Sequence, residues 1–450
     1  MTKVGAIAFA LALTSCASPP RPTAASPAML AEMHVVPLVD HHQHLVSPAA
    51  ASGDYPAPLS EIVLPAGLSS LIARRQVAER DAAALADLYA EDAVALNLSN
   101  EDLPTWVRGR AAVADHISTL FARPYRIAPV ALTAAADHAT IAGYYVRIDT
   151  GRRTGHVLLS LARGSDRRWR ILSEIPALTG PFEREPADAA ALIAQLDEAG
   201  ISRAVVLSVA YWFGSDFRSI KPADEYAAVR AENDWVAEQV ALYPDRLVGF
   251  CSVNPLRSYA VAELERCAAS GHFRGLKLHF GNSDVDLRKP DHMAAIARLF
   301  AAANRLHMAI VVHLWTSPEF DQSGDVHARL FLNALSSAPD VPLQIAHLAG
   351  GGRSSLLALE AFAAAFEAHD PRTRHLYFDV ATSADKETAA NLAKDVALMR
   401  RIGLDRILYG SDLSPPNPPP LAGWAGFHRM PLTDSEFRRI AANVAPYLRP

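Results

Sequence analysis

The chain has 450 residues, half of them apolar, and a formal net charge of -5. That length accommodates one large domain and a smaller one, and a mild acidity with neither a basic stripe nor an arginine-rich tail argues against nucleic acid as a partner. Three cysteines are too few for a disulfide framework.

The amino terminus reads as a targeting segment. Met1-Thr-Lys3 is a short basic region, Val4 to Leu13 an apolar core too short to span a bilayer, and Leu13-Thr-Ser-Cys16 is similar to a bacterial lipobox. The resemblance implies a signal peptide over 1–15, a lipid anchor on Cys16 and a Pro-, Ala- and Ser-rich tether over 16–33. The mature protein would then face the periplasm, anchored to the cell envelope. An ordinary secretory signal, releasing the protein into the periplasm, is the alternative.

The apolar run Val35 to Val39 predicts a strand that ends in Asp40-His41-His42-Gln43-His44. Side chains at i and i+2 share a face of a strand, so His42 and His44 can address one ion. Paired imidazoles suit a divalent transition metal, with zinc first and manganese or iron as alternatives. Asp40 shares their parity and reads as an acceptor that fixes an imidazole, or as a polar residue closing the strand.

The next candidate strand starts only near Ser202, so a separate unit is inserted after the first. Ser69–Ala90 and Val107–Phe121 have helical spacing, and four strand-like runs follow at Arg126–Thr133, Thr140–Asp149, Gly155–Ala162 and Trp169–Ile175. Helices followed by antiparallel strands indicate an α+β unit. With Tyr89-Ala-Glu-Asp-Ala-Val94, Arg108-Gly-Arg110 and Arg168-Trp-Arg-Ile171, residues 67–178 resemble an NTF2-like cone of the polyketide cyclase or SnoaL-like type. Such cones often enclose a pocket. His116, His138 and His156 are scattered without a carboxylate partner close in sequence, so a noncatalytic role is expected: covering the site or building a homo-oligomer interface. A second active site is the alternative.

Seven further strands begin near Ser202, Arg246, Arg274, His307, Val341, His375 and Arg406. They alternate with helical patterns at Ala187–Ala199, Ala223–Tyr243, Tyr259–Ser270, Pro290–Leu306, His327–Ser337, Ser354–His369, Lys386–Ile402 and Asp434–Leu448. Together with the first strand, this predicts a (β/α)8 TIM-like barrel made of residues 34–66 and 179–450. His313, His347 and Asp412 each close an apolar run, and sites of such barrels lie at the strands' carboxyl ends. Lys277 and His279 form a further i, i+2 pair on the fourth barrel strand. Trp315 follows the His313 strand, and Arg353 follows Gly350–Gly352. Cys251 and Cys267 read as buried thiols.

Asp-x-His-x-His on the first strand, a fifth-strand His, His347-Leu-Ala-Gly-Gly-Gly352 and Tyr409-Gly-Ser-Asp412 resemble the amidohydrolase superfamily. More narrowly, they are similar to the amidohydrolase-related group that contains aminocarboxymuconate semialdehyde decarboxylase. The resemblance covers roughly 34–50 and 181–450. It implies one divalent ion held by His42, His44, His313 and Asp412, with His347 as acid-base residue for a metal-activated water. Lys277, His279, Arg353 and Trp315 are candidate contacts to a small-molecule substrate, a carboxylate among the possibilities. A carboxylated Lys277 bridging two metals is an alternative. The structural readings are that His313 and His347 are satisfied core histidines, that Asp412 caps a loop and that Arg353 is solvated. The expected activity is metal-dependent hydrolysis of an amide, lactone or ester. Nonoxidative decarboxylation of an unsaturated or aromatic acid comes second, and ligand binding without turnover third.

Overall fold

A computed structural model describes residues 35–52, 59–78, 80–97, 105–120, 124–149, 151–177, 186–216, 222–317, 319–351, 354–384, 387–412 and 420–449. The expected signal segment, Cys16 and Arg353 lie outside them. Among the described residues, no helix is long and apolar enough to cross a membrane.

Strand β1 (Val39–Gln43) precedes the insertion, which supplies β2 (Tyr89–Asn97), β3 (Thr105–Arg108), β4 (Tyr125–Ala134), β5 (His138–Arg147), β6 (Arg153–Arg163) and β7 (Trp169–Ala177). The chain then forms β8 (Arg203–Leu207), β9 (Leu247–Ser252), β10 (Phe273–His279), β11 (Ala309–His313), β12 (Leu343–Ile345), β13 (Leu376–Asp379) and β14 (Ile407–Leu408). Strands β1 and β8 to β14 make one eight-stranded sheet in chain order, all neighbours parallel. Two backbone bonds draw its edges together: His41 N–H donates to Tyr409 O at 2.9 Å, and Asp412 N–H to His42 O at 2.7 Å. The result is the (β/α)8 barrel.

Every residue of β1, β9, β11 and β12 is buried, as parallel strands covered on both faces require. The outer helices start at capped ends: Asp188, Asp224 and Thr388 accept from the backbone N–H of Ala191, Ala227 and Asn391, and Thr433 with Glu436 forms a capping box. At the amino-terminal mouth, Val39, Val205, Val248, Phe250, Ala309 and Val311 form an apolar cluster with Leu448, and Val444 and Tyr447 pack against it. Cys251 and Cys267 are both buried and unbridged.

The insertion leaves and returns side by side, because Val46 and Ala187 exchange backbone hydrogen bonds of 3.0 and 2.9 Å. Its sheet runs β3-β2-β7-β6-β5-β4, antiparallel except for β2 with β7. Helices Ala66–Val77, Ala82–Ala86 and Arg110–Ser118 bury their apolar faces with it. This is the expected α+β cone, with six strands instead of the four read from sequence. The helix expected over Ser69–Ala90 stops at Val77, restarts where Asp81 caps Ala84 N–H, and gives way to β2 at Tyr89. Val107 opens the second expected helix in the sequence but belongs to β3, and Gly109, at φ 86°, makes the turn into the real helix.

The interior of the cone holds a polar knot. Arg75 Nε donates to Glu174 Oε2 at 2.9 Å and Arg75 Nη2 to Glu174 Oε1. Tyr89 and Tyr145 donate their hydroxyls to the same carboxylate at 2.5 and 2.6 Å, and Arg75 also reaches Tyr125. Arg75, Glu174, Tyr89 and Tyr145 are fully buried. His138 does have a nearby carboxylate, Asp137 at 3.0 Å, but that pair is exposed.

Candidate metal centre

The carboxyl ends of the barrel strands bring His42, His44, Lys277, His279, His313, His347 and Asp412 into one buried neighbourhood. Asp412 lies at its centre, with Oδ1 3.4 Å from His44 Nε2 and 3.7 Å from His42 Nε2, and Oδ2 3.9 Å from His347 Nε2. The potential ligand atoms of His42, His347 and Asp412 all fall within 4.8 Å of one another. His347 therefore stands nearly as close to Asp412 as His42 and His44 do. His313 stands one ring away, 4.9 Å from His347 and stacked on His279 at 3.9 Å.

The outward nitrogen of each central imidazole faces an acceptor. His42 Nδ1 lies 3.0 Å from Asp379 Oδ2, His44 Nδ1 2.6 Å from Leu207 O, and His347 Nδ1 2.7 Å from Ala381 O. Carboxylate and carbonyl oxygens only accept, so in the neutral rings Nδ1 carries the proton and Nε2 presents a lone pair inward. Burial lowers the pKa of His44 to about 3, and burial followed by the neighbouring His42 lowers that of His347. Burial would raise Asp412, but His42, His347 and His44 outweigh it and hold the carboxyl at about 2. His279 is arranged the other way: its Nδ1 accepts from Asn282 N–H at 3.1 Å, leaving the proton on Nε2. Lys277, 1% exposed, places Nζ 3.3 Å from His42 Nε2, and burial lowers its pKa to about 8.

The backbone is strained where this geometry is set. His347, Leu348, Ala349 and Asp412 have φ of 55, 49, 66 and 58°, a region that costs a non-glycine residue on the order of 1 kcal/mol or more. Asp379 steadies the first of them by accepting His347 N–H at 3.0 Å.

The family model described as Amidohydrolase matches residues 39–443. The chain belongs to the amidohydrolase family. It is accordingly a metal-dependent enzyme, and a divalent ion belongs to its site. No protein of curated function matches the sequence. Among solved structures, the amidohydrolase is similar to 5-carboxyvanillate decarboxylase from Sphingomonas paucimobilis, at 16% identity over 55% of this chain and 79% of that one, with a TM-score of 0.40. It is similar to a dihydroxybenzoic acid decarboxylase from Polaromonas sp. with bound manganese and 2-nitroresorcinol, at 17% identity over 56% and 82%, with a TM-score of 0.39. An NTF2-like protein of unknown function from Silicibacter pomeroyi matches at 19% identity over 25% of this chain and 94% of that one, with a TM-score of 0.21.

The residues of this amidohydrolase fit a divalent ion: inward Nε2 lone pairs and an ionised carboxylate converge, with second partners fixing each ring. The expected role of Asp40 is taken by another residue. Asp40 accepts from Gln43 Nε2 at 2.5 Å and from the backbone of Ser411 at 3.0 Å, so it staples the segment that carries Asp412. The carboxylate against an imidazole is Asp379, which the sequence reading passed over. Its signal was present in His375-Leu-Tyr-Phe-Asp379, an apolar run that ends in an acid just as the Asp412 run does. Trp315 donates Nε1 to Asp321 Oδ1 at 3.0 Å, beside a cavity of about 400 Å³ lined also by Gly351, Ser354 and Glu387.

Proposed function

We propose that this amidohydrolase hydrolyses a carbon–nitrogen or carbon–oxygen bond in an amide, lactone or ester. The observation that carries this reading is the split use of Asp412. Oδ1 faces the His42 and His44 pair, while Oδ2 faces His347. In this reading His42, His44, His313 and Asp412 hold the ion, and His347 handles the proton. A divalent ion there supplies Lewis acidity, polarising a carbonyl and making water nucleophilic near neutral pH. The unprotonated Nε2 of His347 is placed to take a proton from water and return it to the leaving group. The Nε2 proton of His279 and the Lys277 ammonium offer donors for the substrate's oxygen atoms.

Lys277 supports a second reading. A buried ammonium beside the ligands suits a substrate carboxylate, as nonoxidative decarboxylation of an unsaturated or aromatic acid requires. Zinc is the proposed ion, with manganese or iron as substitutes. Lipidation at Cys16 would place the enzyme on the envelope, facing the periplasm.

Turnover of lactone, amide and ester panels in water enriched in oxygen-18 distinguishes the readings. Label in the product acid supports hydrolysis. Carbon dioxide released from an aromatic or unsaturated acid, with no hydrolytic turnover, would replace it with decarboxylation. Elemental analysis of His313→Asn and His347→Asn assigns the ligand: loss of metal only in the His347 variant would move that residue from proton transfer to coordination.

A further inference from the structure

A hydrogen-bonded line runs from the closed end of the barrel to the candidate metal site. Tyr447, in the turn Pro446–Leu448, donates its hydroxyl to Gln344 Oε1 at 2.5 Å. Gln344, fully buried on β12, donates Nε2 to Asp379 Oδ2 at 2.6 Å, and the same oxygen receives Nδ1 of His42 at 3.0 Å. We infer that Tyr447 is a positioning residue of the metal site, acting on His42 through Gln344 and Asp379. The inference rests on the reading of His42 as a ligand.

The direction of each bond follows from the groups. A carboxylate only accepts, so the Gln344 amide must turn Nε2 toward Asp379 and Oε1 away. Oε1 then needs a donor in a buried setting, and the phenol is that donor. Burial, then the nearby Asp379 charge, holds Tyr447 well above its ordinary pKa, so the hydroxyl keeps its proton. Asp379 in turn has both oxygens filled: Oδ1 by the backbone N–H of His347 and Ala381 at 3.0 and 3.1 Å, Oδ2 by Gln344 and His42. A carboxylate gripped on four sides cannot swing, and the His42 ring inherits that fixity.

The carboxyl-terminal segment is itself well seated. The Tyr447 ring meets Phe250 edge-on at 5.0 Å, Ala445 N–H donates to His41 Nε2 at 3.2 Å, and Leu448 O accepts from Arg203 at 3.1 Å. The same segment thus contacts the residue next to His42 directly and His42 itself through two intermediaries.

Tyr447→Phe deletes the hydroxyl and keeps the ring, while Leu448→Ala loosens the same plug without touching the line. Apo protein is titrated with zinc(II) and manganese(II) against a chelator, the visible spectrum of the cobalt(II)-loaded protein is recorded, and Tm is measured. Tyr447→Phe is expected to weaken metal binding about 3- to 10-fold, less than the 10- to 100-fold typical of a direct partner. It should also shift the cobalt spectrum at nearly unchanged Tm, whereas Leu448→Ala lowers Tm and leaves metal affinity and spectrum alone. In a Gln344→Met background, Tyr447→Phe should have no further effect on affinity. Wild-type affinity and spectrum in Tyr447→Phe, with metal binding abolished in His42→Ala, overturn the inference alone. Metal retained in His42→Ala overturns both it and the proposed ligand set.

Discussion

Replacing Asp379 by Asn tests whether the metal site is organised from behind its ligands. The amide has the same shape but only one acceptor oxygen. The backbone N–H groups of His347 and Ala381, at 3.0 and 3.1 Å from Oδ1, claim that oxygen. The new NH2 then faces Nδ1 of His42 and Nε2 of Gln344, both donors in the native arrangement. His42 can relieve the clash only by moving its proton to Nε2, which removes the lone pair aimed at the ion. Metal-ligand partners of this kind are worth 10- to 100-fold in affinity, or about 1.4–2.7 kcal/mol. Chelator competition on apo protein with zinc(II) or manganese(II) measures the loss. Native affinity in a variant with a wild-type circular dichroism spectrum would refute the argument.

The same variant has a pH signature. Burial pushes the Asp379 carboxyl up, but His42 and His347 outweigh it and hold it well below the usual carboxylate range. A depressed folded-state pKa stabilises the fold above the unfolded value of about 3.9 and ceases to do so as pH falls through the lower folded value. Asp379→Asn should therefore flatten part of the acid limb of Tm against pH. An unchanged limb would mean that other carboxylates set it.

Three further outcomes follow from separate parts of the molecule. A Cβ on Gly410 would lie 2.7 Å from His42 Cβ, so Gly410→Ala should displace that ring and reduce metal affinity with every ligand still in place; unchanged binding would show that the strand yields freely. Breaking the buried Arg75–Glu174 pair with Glu174→Ala leaves an uncompensated guanidinium and should cost the insertion about 3–5 kcal/mol, read as a lower Tm, with the metal stoichiometry of the still-folded protein as the control. Asp395 is fully buried, and burial, opposed by the neighbouring Ser354 hydroxyl and reinforced by the Glu387 charge, raises its carboxyl to about 7. Because its raised pKa makes the folded state bind a proton that the unfolded state releases, wild-type stability should fall as pH rises from about 4 to 7, and Asp395→Asn should remove that slope and be the more stable protein at pH 8 by a few kcal/mol, order of magnitude; parallel Tm profiles for the two proteins would contradict the assignment.

How far these features were readable depends on how local their causes are. The barrel strands announced themselves because a strand buried on both faces must be apolar along its whole length, and His42, His313, His347 and Asp412 each interrupt such a run at its carboxyl end. The insertion is legible in outline, but β2 is not: its first two residues fall inside the expected helix and the rest follow it without a strand pattern, because Tyr89, Ala93 and Ala95 are buried and the register shift between Tyr89 and Val94 breaks the period of 2 that marks a strand. In both cases the information lies within a window of ten or so residues, and what was missed was missed because a bulge or a turn glycine altered the pattern inside that window.

The residues behind the ligands obey a different logic. Asp379 carries a local signal, the acid that ends an apolar run, but that signal does not say that it points at His42, 337 positions away, rather than at an ion. Gln344 has no signal of its own, since an amide inside an apolar strand is explained only by what meets both of its ends: Asp379, 35 residues on, and Tyr447, 103 residues on. Each of these contacts exists only because the barrel closes and the carboxyl-terminal turn plugs it. The candidate ligand atoms can therefore be read strand by strand, while the tautomers that would let them bind an ion depend on the closed barrel. Substitutions that loosen its closure, such as at Gly410 or Tyr447, should for that reason reach metal affinity before any ligand is touched.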